Sequence, residues 1–118
     1  MAVEGEIAGL AVRFDIFARS KLASLYDAKR VVLFIFATGA SKRRPAIAID
    51  VDGQFWIRQH PSTGEIDDVE IEDFERVFLD KHDQLRPAWQ SAKKGQDREA
   101  NRLFISQLTA LLRGSIKD

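Results

Sequence analysis

The side chains with the most chemistry to offer stand close together in the middle of the chain. Ser41-Lys42-Arg43-Arg44 is a basic run inside the connector GASKRRP (39–45). It leads into AIAIDVDGQFWIRQ (46–59), which carries Asp50, Trp56 and Arg58, with His60 just beyond. Three adjacent cations on a loop hold phosphate oxygens, and a neighbouring aromatic stacks on an unpaired base, the usual pairing in single-strand recognition. The plainer reading is a solvated basic loop beside a sheet face that meets another protein. No helix in the chain has the dense basic face of a groove-reading recognition helix.

Acidic residues form a second group: Glu65, Asp67, Asp68, Glu70, Glu72, Asp73 and Glu75. Hard cations need several oxygens converging from a defined loop, and this spacing matches no calcium loop. In the first turns of a helix such acids stabilise the positive N-terminal end of its dipole, which explains them without a ligand.

Catalytic constellations lack parts. His60 and His82 are 22 residues apart, there is no cysteine, and no Gly-flanked serine suggests an activated nucleophile. Common metal-dependent nucleases need a lysine two residues past a second acidic or amide residue on the return strand, whereas Gln54 is followed by Trp56 and Gln59 by Pro61. GASK (39–42) follows an apolar strand but lacks the glycine before its lysine, and Arg-Arg-Pro follows in place of a helix, so it is no phosphate loop. A hydrolase would have to use Asp50 with His60, or a metal held by the acidic run. No catalytic, cofactor-binding or metal-binding residue is assigned.

The elements that position these residues follow from pattern. Two alternating apolar runs flank Asp52-Gly53, a strong hairpin signal. A three-residue loop Val51-Asp52-Gly53, with Ile49 opposite Phe55 and Ile47 opposite Ile57, gives one wholly apolar face. The other face then carries Ala46, Ala48 and Asp50 against Arg58, Trp56 and Gln54. Residues 5–27 fit a helical stripe through Leu10, Phe14, Phe17, Leu22 and Leu25, while Leu10, Val12, Phe14 and Ile16 also fit a strand; the helix is favoured. Arg30–Thr38 is β-branched and aromatic without alternation, which suits a central strand covered on both faces.

Asp67 to His82 reads as a helix with Asp67 as N-cap, Glu70 at the capping-box position, and Ile71, Phe74, Val77 and Phe78 on one face; a strand from Ile66 to Ile71 before a shorter helix is the alternative. The last helix runs from about Asp97 to Arg113, with Ala100, Leu103, Phe104, Leu108, Leu111 and Leu112 as its stripe and Gly114 as its stop. Trp89, near Pro87, is expected to be buried, and Trp56 to be partly exposed if it belongs to a working surface.

The expected architecture is one α+β domain over residues 1–118: an N-terminal helix, a three-stranded antiparallel sheet with a central hairpin, and two or three C-terminal helices packed on the sheet. At 45% hydrophobic and 31% charged residues, the 118-residue chain has the composition of an ordinary globular domain. Its formal charge is zero, though residues 1–62 hold nine basic and six acidic residues and residues 63–118 nine and twelve. A balanced charge argues against strong non-specific nucleic-acid binding and leaves little repulsion between copies. The absence of cysteine fits a reducing compartment. The run Val31–Ala37 is far short of the roughly 20 apolar residues of a membrane helix, so a cytoplasmic protein without membrane contact is expected.

These readings converge on a small non-catalytic protein-interaction domain that forms a homodimer and meets a protein partner through a sheet edge or the Trp56/Arg58 face. Nucleic-acid binding and a metal-dependent hydrolase are the alternatives. The candidate surface is Lys42, Arg43, Arg44, Asp50, Trp56, Arg58 and His60, and no cofactor is expected.

Overall fold

In the computed structural model, described here for residues 2–38, 46–95 and 97–117 (side chains from Gly9 onward), a five-stranded antiparallel sheet carries helices on one face. The chain runs α1 (Ala2–Arg19), β1 (Leu22–Asp27), β2 (Val32–Ala37), β3 (Ile47–Val51), β4 (Phe55–Gln59), β5 (Ile66–Glu72), a π-helical turn (Phe74–Phe78) continuing into α2 (Leu79–Lys81), a 3-10 turn (Asp83–Leu85), α3 (Arg86–Ala92) and α4 (Arg98–Gly114). The spatial order is β1-β2-β5-β4-β3. The last strand in sequence is therefore the central one, joining the hairpin β1–β2 to the hairpin β3–β4.

The α+β class, the N-terminal helix and the C-terminal helices are as expected, but the sheet has five strands and not three. Both missed strands have a physical reason. The apolar stripe of α1, with Ala11, Phe14 and Phe17 buried, continues at helical spacing through Leu22 and Leu25, so the pattern does not register that the helix ends at Arg19. From Leu22 the period becomes two. Ser24 and Tyr26 turn toward the helices, while Leu25 turns away and stays 58% exposed.

The second miss is β5, where a bulge disguises the strand. Arg58 pairs with Asp68 but Gln59 pairs with Ile66, so β5 holds one extra residue at Asp67. Ile66 and Val69 thus lie three apart in sequence and both reach the core, a spacing that imitates a helix. Asp67 is not an N-cap and Glu70 is not in a capping box: the alternative strand is the one formed, and helical structure starts only at Phe74, after Asp73 turns the chain with φ 49°. Within the helical turn Phe74 and Phe78 are buried and Val77 is exposed.

The Asp-Gly hairpin forms two residues away from the expected register. Val51 pairs with Phe55, Ile49 with Ile57 and Asp50 with Trp56, and the loop is Asp52-Gly53-Gln54. Asp52 and Gly53 both have positive φ, 53° and 68°, the sign pattern of a type I′ turn, and Gln54 N donates to Val51 O at 2.9 Å. Two strongly turn-forming residues thus take the central positions and leave Val51 to the sheet. A shift of two residues preserves the faces, so the expected division into apolar and polar sides stands.

A core row crosses the whole sheet as Ser24, Ile35, Val69, Ile57 and Ile49. Phe14 and Phe17 of α1, Trp89 of α3, and Phe104, Leu108 and Leu112 of α4 pack against that side. Phe74 is the hub of an aromatic cluster, with ring centroids 5.0 Å from Trp89, 5.9 Å from Phe104 and 5.5 Å from Phe78. Helix α4 begins close to where the pattern places it, and Asp97 is its N-cap: the carboxylate accepts from Glu99 N at 2.9 Å and Ala100 N at 3.2 Å. Its buried stripe is Phe104, Ile105, Leu108, Thr109 and Leu112, so Leu103 faces solvent in place of Ile105. Among the described residues no helix is long and apolar enough to cross a membrane.

Candidate functional site

The helices cover one side of the sheet, and among the described residues no helix packs on its other side. Successive residues on a strand alternate between faces, and two rows of the ladder cross the open surface from edge to edge. One is Leu25, Phe34, Glu70, Trp56, Asp50; the other is Ala23, Phe36, Asp68, Arg58, Ala48. The strand β2 is therefore not covered on both sides as expected. Leu33 and Ile35 are fully buried, whereas Phe34 and Phe36 are only half-buried on the open face.

Trp56 is 37% exposed at the centre of this face, and its Nε1 donates to Glu72 Oε1 at 3.4 Å. Arg58 donates to Glu70 Oε1 at 3.2 Å and lies 3.9 Å from Asp68 Oδ1. Asp50 accepts from Gly53 N at 3.1 Å, which ties its carboxylate to the hairpin turn. A third row, Asp27, Val32 and Glu72, lies on the same side, so among the described residues the face carries five carboxylates, Asp27, Asp50, Asp68, Glu70 and Glu72, and one guanidinium, with Leu25, Phe34, Phe36 and Trp56 as its apolar part. Of the sequence-derived candidates, Asp50, Trp56 and Arg58 meet here. Lys42, Arg43 and Arg44 lie outside the described residues.

His60 has a different task. Its Nδ1 accepts from Ser62 N and Thr63 N at 3.2 and 3.3 Å, and its carbonyl accepts from Gly64 N at 2.8 Å, so it organises the β4–β5 loop. No hydrogen bond joins it to Asp50 among the described residues. Nor do any three His, Asp or Glu side chains among those residues converge to hold a metal ion.

One polar cluster escaped the sequence reading. Glu75, in the π-helical turn, accepts from Trp89 Nε1 at 2.8 Å, Lys93 Nζ at 2.6 Å and Tyr26 OH at 3.2 Å. The hydrogen bond from Lys93, then that from Trp89, holds the Glu75 carboxyl below its ordinary range, and burial followed by the Glu75 charge pushes the Tyr26 phenol up. With both oxygens engaged, this carboxylate clamps β1, the π-helical turn and the end of α3 together. His82 packs on Phe78 and sits 3.0 Å from Gln54 Oε1. Desolvation, then the Lys81 charge, lowers its proton affinity.

Leu25, Phe34, Phe36 and Glu72 were missed as surface residues because their strands were assigned to helix or to a doubly buried strand. The signal available was the two-residue alternation within LASLYD and DVEIE. No family model, curated protein or solved structure matches this chain.

Proposed function

We propose that this chain is a small non-catalytic protein-interaction domain that receives its partner on the uncovered sheet face and self-associates through the free edge of β3. The row Leu25, Phe34, Glu70, Trp56, Asp50 carries the reading. An antiparallel sheet commonly leaves one face to water, but that face is then polar throughout. Here an aromatic at its centre and three further apolar side chains interrupt it, and Trp and Arg are the residue types enriched where binding energy concentrates. Carboxylates surrounding Trp56 favour a partner with cationic side chains over a phosphate backbone.

The test uses a 16-residue amphipathic helix of Leu and Lys as probe. Its binding shifts the emission of Trp56 to shorter wavelength, weakens with salt, and loses roughly tenfold in affinity in Glu72→Lys. The shift is absent in Trp56→Phe. A matched Leu and Glu helix that binds equally well removes the charge argument, and a random peptide library that yields no sequence discriminating wild type from Trp56→Ala sinks the reading.

A further inference from the structure

We propose that the groove between the end of α1, the start of β1 and the flank of α4 binds a phosphate-bearing ligand, independently of the open sheet face. The groove has a volume of about 740 Å³, and Lys21, Arg98 and Arg102 line it together with Asn101, Ser106 and Thr38. Among the described residues no carboxylate lines it. In a chain with equal numbers of acidic and basic residues, a concave surface with three cations and no anion is a local concentration of positive potential.

These cations are little used by the fold. Among the described residues Lys21 and Arg98 form no ion pair, and Arg102 has only a 3.5 Å pair with Glu99 in which the two side chains are 76% and 78% exposed. The two arginines are also placed at a cost. Four residues apart, they put like charges on one side of α4, and Arg98 opens its first turn, where the helix dipole disfavours a cation. An oxyanion held between them reverses the sign of both effects, and a guanidinium offers paired donors matched to phosphate oxygens.

The surrounding donors are held in place. Ser24 Oγ donates to Asn101 Oδ1 at 3.0 Å, and Asn101 Nδ2 has no acceptor among the described residues. Thr38 N and Oγ1 donate to Lys21 O at 2.8 and 3.2 Å, tying Lys21 to the open end of the β1–β2 hairpin, away from its turn. A second cavity of about 680 Å³ shares Arg98 and Asn101 and continues past Ser24 and Tyr26 to Glu75, Lys93 and Asp97, so there is room for an uncharged or cationic remainder of the ligand, while its phosphate stays on the Lys21 side.

Calorimetric titration with sodium tripolyphosphate at low salt tests the site. The wild type binds saturably, Lys21→Gln and Arg98→Gln each weaken binding roughly tenfold, and Lys29→Gln and Lys117→Gln leave it unchanged. All four side chains are on the surface, so folding is retained. A single-stranded oligonucleotide that displaces tripolyphosphate makes a nucleic-acid backbone the source of the phosphate; one that leaves it bound makes the source a small phosphorylated molecule. The proposal is overturned by absence of saturable binding, by equal losses in the Lys29 and Lys117 variants, or by a loss confined to a variant with Lys42, Arg43 and Arg44 all changed to Gln.

Discussion

At Glu75 one carboxylate in the π-helical turn accepts from an indole and an ammonium of α3 and its end and from a phenol of β1, and its removal should be felt across all three elements. Glu75→Gln keeps the shape and loses the charge; hydrogen bonds to charged groups exceed neutral ones by about 1–2 kcal/mol, and a loss of that size is expected in urea unfolding. The pH dependence follows from the same side chain. Because its folded pKa lies below its unfolded one, Glu75 contributes stability that is present above the ordinary carboxylate range and lost as pH falls through the folded value. His82, whose ordinary value of 6.5 is also lowered in the fold, contributes stability that is present above that value and declines as pH falls below it. Urea midpoints measured from about pH 8 to pH 3 should therefore fall in two stages, and Glu75→Gln should flatten only the more acidic one. A variant curve parallel to the wild type throughout would deny Glu75 this role.

Elements that announce themselves locally were legible, and those defined by their neighbours were not. The Asp-Gly turn, the Asp97 cap of α4 and the burial of Trp89 follow from the residues themselves. By contrast, the end of α1 has no proline or glycine to mark it, and the bulge at Asp67 gives β5 a helical spacing. The open surface inherited both errors: Leu25, Asp68, Glu70 and Glu72 lie on strands that read as helix, and Phe34 and Phe36 on one that reads as covered on both faces, which leaves Asp50, Trp56 and Arg58 as the legible part. Two glycines test the local reading with opposite signs. Gly53 has φ 68° and Gly114 is helical, and neither has an atom within 4 Å of an added Cβ, so backbone conformation alone decides the outcome. Gly53→Ala should destabilise by about 1 kcal/mol through a left-handed conformation that L-residues resist. Gly114→Ala should stabilise by about 0.4–1 kcal/mol through unfolded-state entropy and helix propensity. Thermal unfolding midpoints moving in the same direction would contradict one assignment.

For the whole molecule, β1 and β3 are the outer strands, and the self-association we propose uses β3. Ile47 is 50% exposed on β3, and a two-fold antiparallel pairing centred on Ile49 sets Ala48 of one copy opposite Asp50 of the other, with no carboxylates confronting one another. Sedimentation equilibrium should give a dimer that changes little with salt, and Ile47→Lys should yield monomer. A wild type that stays monomeric would remove the dimer while leaving the open-face reading intact. The strand order has a further consequence, for the chain as it is made. Until the ribosome has released residues up to Glu72, the two hairpins have no strand to bridge them, and the inner edges of β2 and β4 both stand unpaired. A nascent chain arrested before Ile66 is thus two separate ribbons needing protection, and the stretch that unites them is the last piece of the sheet to be translated.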